Sequence, residues 1–494
     1  MKQTIDTIIV GAGFSGIGAA IKLSEAGFDD WLILEDGAGV GGTWYWNTYP
    51  GVAVDIPSFS YQFSFAQRTD WSRSYAPGSE LKRYADDLVD QYRIRDRIRF
   101  NSRVTRASWD EGGRLWRIDL GDGTRYSARF LLNASGVLTT PKLPDIAGLD
   151  TFTGTMLHTA RWDHSIDIAG KRVGIIGTGA SAIQVIPAIA PDVAKLTVFQ
   201  RTPIWCFPKP DIPLPLPLRA GMRIPGARAL TRLLSQTFVE ATFPFPAHFH
   251  TTFPAAKYGE AVGKWWLRQQ VDDPAVRAKL TPQYGLGCKR PSFHNSYLAT
   301  YNRPNVALET TSISEVTATG LRTRDGVLHE LDVLILATGF KVMEADNIPT
   351  YDLLGVRGEL LSEFWDRNRL QAYAGVSIPG FPNFFTVFGP YGYNGSSYFA
   401  LIEAQTHHIV RCLKQARKVG AGRIEVKDEA NFRYFAAQLQ KQATSVFRNQ
   451  PCSNSHSYYF DKNGDVALRP ATTAGVVWHS RFFPLDDYTF GRAS

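Results

Sequence analysis

An α/β fold carrying two dinucleotide-binding domains, the second interrupted by a helical insertion, is predicted from three observations. A strand, a glycine-rich turn and a helix begin at residues 7–16, and the same order returns at 173–182. A proline- and arginine-rich stretch then separates the second unit from its closing strand. Strand, turn, helix and strand in that order make a βαβ unit, whose parallel sheet is buried on both faces. Length agrees, because 494 residues amount to roughly three folding units at about 150 residues each.

In the first unit the apolar run 7–10 is followed by Gly11-Ala12-Gly13-Phe14-Ser15-Gly16, an alanine-rich helical stretch, and Trp31-Leu32-Ile33-Leu34-Glu35. The glycines let the backbone turn tightly and approach a pyrophosphate, whose charge meets the amides and dipole of the helix N-terminus. Glu35 stands nineteen residues after Gly16. A carboxylate there, at the tip of the second strand, accepts hydrogen bonds from both hydroxyls of an unphosphorylated ribose. In the second unit, 173–176 leads into Gly177-Thr178-Gly179-Ala180-Ser181-Ala182, and nineteen residues further on Arg201, followed by Thr202, takes the place of Glu35. A guanidinium binds a 2′-phosphate that a carboxylate would repel. The exchange assigns FAD to the first Rossmann-like unit and NADPH to the second.

The apolar runs in 130–136 and 332–339 have the length of buried parallel strands, and each ends in small residues where a backbone must pass close to a cofactor. One is expected in each nucleotide fold. Pro141 and Pro144 mark the crossing between domains. Residues 1–140 and 345–494 are therefore assigned to the FAD-binding domain, 141–205 and 288–344 to the NADPH-binding domain, and 206–287 to the insertion. Arg219, Arg223, Arg228 and Arg232, with Trp265-Trp266, predict insertion helices with a basic and an aromatic face. Packing over the active site is the expected use of such a segment, and membrane-surface docking is the alternative.

Composition excludes several classes. With 54 Lys and Arg against 46 Asp and Glu, the net charge is +8. The densest basic run, residues 93–99, reads as a solvated helix-to-strand junction and not as a nucleic-acid surface. No window approaches the roughly 18 uninterrupted apolar residues of a spanning helix, so no stable membrane insertion is expected. The first strand lies too near Met1 for a signal peptide. Cys206, Cys288, Cys412 and Cys452 never form C-x-x-C, which argues against a zinc ribbon, a redox dithiol or a disulfide framework and favours a reducing, cytoplasmic setting. His248 and His250 form one H-x-H without a carboxylate or cysteine companion, so no metal site is expected. Oligomeric state carries no signal, and a monomer is compatible with the sequence.

Three further stretches resemble a known family. Phe152-x-Gly154-x-x-x-His158-x-x-x-Trp162-Asp163 matches the fingerprint of Baeyer–Villiger monooxygenases, and residues 41–55, with Gly42, Thr43, Trp44, Trp46 and Asp55, look like the flavin-side motif of that family. Cys288-Lys289-Arg290-Pro291 resembles its third. The resemblance runs from about residue 5 to 490 and implies a ketone substrate, O2, FAD and NADPH. By position it implies that Lys289 helps to bind the 2′-phosphate, that Arg290 is the catalytic arginine with Asp55 as its ion-pair partner, and that His158 sits at the interdomain joint. The implied reaction inserts one oxygen beside a ketone carbonyl through a flavin C4a-peroxide, giving an ester or lactone, with sulfide oxidation as a side activity. Two alternatives stand beside it. A flavin-containing N- or S-monooxygenase shares both nucleotide folds but has no need of the Arg290 and Asp55 pair, and a non-oxygenating flavin redox sensor needs neither Arg201 nor Lys289-Arg290. A pyridine nucleotide–disulfide reductase is excluded by the missing C-x-x-C.

Overall fold

The computed structural model describes residues 4–342 and 344–492; residues 1–3, Met343 and 493–494, which fall within the first, fourth and last segments assigned above, lie outside the described residues. The apolar run Ile8, Ile9 and Val10 has no side chain to offer to water and forms the buried centre of an eight-stranded sheet. Its strand, Thr4–Val10, pairs in parallel with Trp31–Leu34 on one side and with Arg125–Asn133 on the other. Ile98–Arg99 extends one edge, while Leu115–Leu120 and Val104–Asp110 fold back as an antiparallel meander toward Asp352–Leu354 at the other. Phe384–Thr386 also pairs in parallel with Arg125–Asn133, so the chain returns to this sheet after a long excursion. The helix Phe14–Glu25 is clamped by the later helix Tyr398–Val419, with the rings of Phe14 and Phe399 4.7 Å apart.

The excursion builds a second sheet of five parallel strands, in the order Val306–Glu309, Lys195–Phe199, Arg172–Ile176, Val333–Leu336, Thr155–His158. Two crossings join the sheets. Around Pro141 and Phe340 they run antiparallel and hydrogen-bond to each other, Lys142 N to Gly339 O at 2.9 Å and Lys341 N to Thr140 O at 3.1 Å. Between strands Lys195–Phe199 and Val306–Glu309 the chain forms the helices Leu216–Gly221, Ala227–Thr242, Pro244–His248, Ala256–Gln270 and Pro274–Leu280. The basic run at 93–99 is a short 3-10 turn entering an edge strand, where Arg95 pairs with Asp86 and Asp90, and Arg99 with Asp122. Among the described residues no helix is long and apolar enough to cross a membrane.

The two glycine turns are built alike. Gly11, at φ +104°, lies so close to the end of strand Arg125–Asn133 that a Cβ would fall 2.7 Å from the Ala134 carbonyl oxygen, and Gly177, at φ +118°, stands the same way 2.4 Å from that of Ala337. The small residues after each of those strands therefore make room for the turn itself. Gly16 seats the first helix on its strand, since a Cβ there would fall 1.9 Å from Gly11 O, whereas a Cβ on Gly179 meets nothing within 4 Å. Gly16→Ala is expected to destabilise the protein by about 1–3 kcal/mol, read as a lowered urea midpoint. Gly179→Ala should leave that midpoint where it is.

Candidate active site

The C-terminal ends of the parallel strands of both sheets face a shared cleft of about 1830 Å³, larger than the roughly 300–1,000 Å³ of a pocket for one small ligand. Gly11, Gly13, Phe14, Ser15, Gly42, Thr43, Trp44 and Trp46 line its first side. Glu35 is buried there, accepting from Ala12 N at 2.6 Å and Gly37 N at 2.8 Å. Burial raises its carboxyl above the ordinary value, and the two amides oppose the rise. A cradle with no Cβ at its turn, ending in a carboxylate fixed by backbone amides, fits the pyrophosphate and ribose of FAD. Phe14 is chiefly a core residue, packed on Tyr84 and Phe399.

Gly177, Thr178, Gly179, Ala180, Ser181, Arg201 and Thr202 line the opposite side. The Thr178 hydroxyl donates to Thr202 O at 2.6 Å, tying the turn to the following strand end. Arg201 is exposed and Lys289 half-buried. Burial, then the charge of Arg201, brings the Lys289 ammonium down to about 8, and the same two cations depress His456, which burial depresses most. No carboxylate pairs with Arg201 or Lys289 among the described residues. A cluster of basic groups without a counter-charge fits a phosphate.

Between these half-sites lies the ion pair the spacing alone does not reveal. Arg290 Nε donates to Asp55 Oδ2 at 2.7 Å, and Arg290 Nη1 donates to Tyr393 Oη and Gly395 O, both at 3.2 Å. The two N–H groups of Nη2 have no partner among the described residues, and Arg290 lines the cleft. Burial opposes the guanidinium charge, but Asp55, with Tyr393 and Tyr459, holds it well above the arginine range. Burial likewise presses the Asp55 carboxyl upward, and Arg290 and Lys209 outweigh it, leaving it below the usual carboxylate range. The pair is charged across the whole working pH range.

His158 ends the edge strand Thr155–His158. Its Nδ1 accepts from Ala160 N at 3.0 Å, and its Nε2 stands 3.4 Å from the Thr338 hydroxyl, which in turn donates to Lys142 O. Thr338 and Lys142 belong to the crossings between sheets, and His158 is absent from the cleft lining although Arg161 and Thr338 are present. His248 Nε2 stands 2.8 Å from Asn394 O, and His250 Nε2 3.0 Å from Gln450 Nε2, so the two rings have separate partners.

One expectation is corrected. Cys288 and Cys452 form a disulfide across 164 residues, while Cys206 and Cys412 are buried thiols. Sequence spacing could not show the pairing, because it depends on the C-terminal chain returning beside the segment that carries Lys289 and Arg290. The same return brings in Tyr393, Gly395 and His456, for which the sequence holds no local signal. Arg161 lies inside the 152–163 motif and was open to discovery; its guanidinium stacks 4.1 Å from the Trp46 ring. Gln184 bridges the domains, its Oε1 accepting from Tyr49 Oη at 3.0 Å and its Nε2 donating to Ala53 O at 2.9 Å.

Comparison with known proteins adds three findings. A family model described as pyridine nucleotide-disulphide oxidoreductase matches residues 8–216, the region of both glycine turns, and Cys288 and Cys452 lie outside it. A Baeyer-Villiger monooxygenase of Streptomyces coelicolor is 37% identical over 99% of this chain and 93% of its own. Two solved structures superpose with a TM-score of 0.89. A closed crystal structure of cyclohexanone monooxygenase is 30% identical with all of both chains covered. OTEMO in complex with FAD and NADP is 27% identical, covering 99% of this chain and 100% of that one.

The disulfide closes a long loop, so its loss should lower stability by about 2–5 kcal/mol. A reducing agent is expected to lower the urea midpoint of the natural chain and to leave that of Cys452→Ser unchanged; equal responses would mean that the bond does not form.

Proposed function

We propose that this chain, which belongs to the Baeyer–Villiger monooxygenase family, uses Arg290, held by Asp55, to stabilise the negative charge that develops on a ketone oxygen during oxygen insertion. The reaction is FAD-containing and dependent on NADPH and O2, and it converts a ketone into an ester or lactone. FAD, when bound, would supply the redox chemistry that activates O2, with NADPH as the source of electrons and O2 as the source of the inserted atom. Gly11, Gly13, Phe14, Ser15, Glu35, Gly42, Thr43, Trp44, Trp46 and Asp55 would hold the flavin nucleotide, and Gly16, which does not line the cleft, would seat the helix that presents its amides. The 177–181 turn with Arg201, Thr202, Lys289 and Arg290 would hold NADPH.

The observation that carries this reading is the half-satisfied guanidinium. Asp55, Tyr393 and Gly395 take Nε and Nη1 of Arg290, which fixes its plane, while Nη2 has no hydrogen-bond partner among the described residues and Arg290 lines the cleft. A fixed cation in a water-poor site costs no reorganisation when charge appears on the substrate. Because Arg290 never gives up its proton, it favours an anionic oxygen donor, which attacks carbonyl carbon, over a protonated one, which attacks sulfur or nitrogen. His158 is a positioning residue that couples the two crossings through Thr338 and Lys142. The need for NADPH supports a cytoplasmic setting, although the Cys288–Cys452 bond removes the support that the cysteines gave it, and a small-molecule ketone and O2 are the partners.

Arg290→Ala should still oxidise NADPH and bleach the flavin anaerobically, while ester formation from a ketone panel falls by about a hundredfold to a thousandfold. Ester formation at the natural rate by that variant would remove Arg290 from the mechanism.

NADPH binding should depend on pH through Lys289. Below about 8 its ammonium is already charged and binds the phosphate without a proton. Above that, the free protein has lost the proton and must regain it, so NADPH affinity falls, approaching about tenfold per pH unit. NADH, without the 2′-phosphate, should show no such fall. Lys289→Ala should abolish the difference in slope, and Arg201→Ala should narrow the NADPH-to-NADH preference at all pH values.

A further inference from the structure

The helix Ala227–Thr242 is amphipathic in the reverse sense to a helix packed on a core. Its inward face is mostly polar, Val239 being its one buried apolar side chain: Ser235 Oγ meets Ser60 Oγ at 2.9 Å, Gln236 Nε2 donates to Ser396 Oγ at 2.8 Å, and the Arg232 side chain lies against Glu403. Its outward face carries Leu230, Leu233, Leu234 and Phe238, spaced at i, i+3, i+4 and i+8, with the leucines 58%, 62% and 62% exposed. Leu216, at 78%, and Ile224, at 64%, continue the exposed apolar surface through the preceding turn. Scattered apolar side chains are normal on a surface, but a helix that buries its polar face and presents its leucines needs an apolar partner.

Charge selects the partner. From Ile212 to Val239 the chain holds four arginines and no acidic residue. Arg219 and Arg232 are engaged by Leu214 O and by Gln62 O and Glu403, and Arg228, on the inward face, reaches Gln67 O at 3.5 Å, whereas Arg223 is exposed in the turn beside Ile224. A second copy packed on this face about a twofold axis would set like charges against one another. We propose that residues 212–238 dock the enzyme on the surface of an anionic lipid bilayer, with the leucines in the acyl boundary and Arg223 among the headgroups. The helix does not cross the bilayer.

The position of this face gives the docking a use. Phe238 belongs to the outer stripe and, with Val239, Thr242 and Phe243, also walls a small pocket on Asp55 and Arg290. The helix is thus the roof of the ion pair, and docking sets that roof against lipid. This part rests on the function proposed above and implies apolar ketones that partition into membranes.

The test is flotation of the FAD-loaded, full-length protein with vesicles of phosphatidylcholine alone or of phosphatidylcholine with a minority of phosphatidylglycerol. Binding to the anionic vesicles is expected to exceed binding to the neutral ones by at least about tenfold, and to fall by a similar factor in L233S/L234S and in R223E. Activity on a short, water-soluble ketone should be the same in the leucine variant as in the natural chain, which shows that it is folded, while activity on a long-chain ketone carried in the vesicles drops. No flotation with either vesicle, or flotation unchanged in L233S/L234S, would overturn the proposal. So would a dimer in solution that the leucine changes dissociate, because the face would then belong to a second copy. Flotation needs no turnover, so it fails or succeeds independently of the oxygenation chemistry.

Discussion

A guanidinium taken out of water must find its counter-charge within the protein, and in this chain Arg290 finds it in Asp55, 235 residues away. That requirement organises the molecule. Asp55 follows the tyrosine-proline-glycine turn that leaves the flavin-side motif, and Arg290 leaves the insertion on the NADPH side, so the pair forms only when both nucleotide domains and the insertion are in place. The Gln184 bridge to Tyr49 and Ala53 and the Arg161 stack on Trp46 act across the same boundary. Each joins a residue of the second fold to one between 46 and 55.

The two glycine turns show how one backbone solution serves two chemistries. Gly11 and Gly177 approach neighbouring strand ends in the same way, yet the residue beyond the next strand differs in sign. Glu35 is withdrawn from solvent and held by amides, which keeps a carboxylate ready for neutral hydroxyls. Arg201 stands exposed near half-buried Lys289 with no acid paired to either among the described residues, the arrangement that a phosphate would neutralise under the function proposed above. The electrostatic asymmetry is thus carried by a few side chains on a symmetric backbone.

Much of this was legible in the sequence because the signals are local. Glycine spacing, strand periodicity and the acid-to-base exchange at Glu35 and Arg201 lie within single βαβ units, and the 41–55, 152–163 and 288–291 stretches are continuous. What was not legible is set by return of the chain. Tyr393 and Gly395 complete the Arg290 cage from a segment without a motif, and Cys452 reaches Cys288 by the same route. The arginines of the insertion were visible, but which face of the helix turned outward was not. Its periodicity is the same whether the leucines or the serine and glutamine face the protein, and only the polar partners Ser60, Ser396 and Glu403 decide it.

The bond between Cys288 and Cys452 has a topological consequence. The backbone between them passes through strand Val333–Leu336 of the second sheet, the second crossing, and strand Phe384–Thr386 of the first. Chain and disulfide together form a covalent circuit that threads both domains. A single peptide-bond cut anywhere in that circuit opens a ring and does not divide the molecule: the fragment bearing both glycine turns and the fragment bearing the C-terminus remain one covalent body until the sulfurs are reduced.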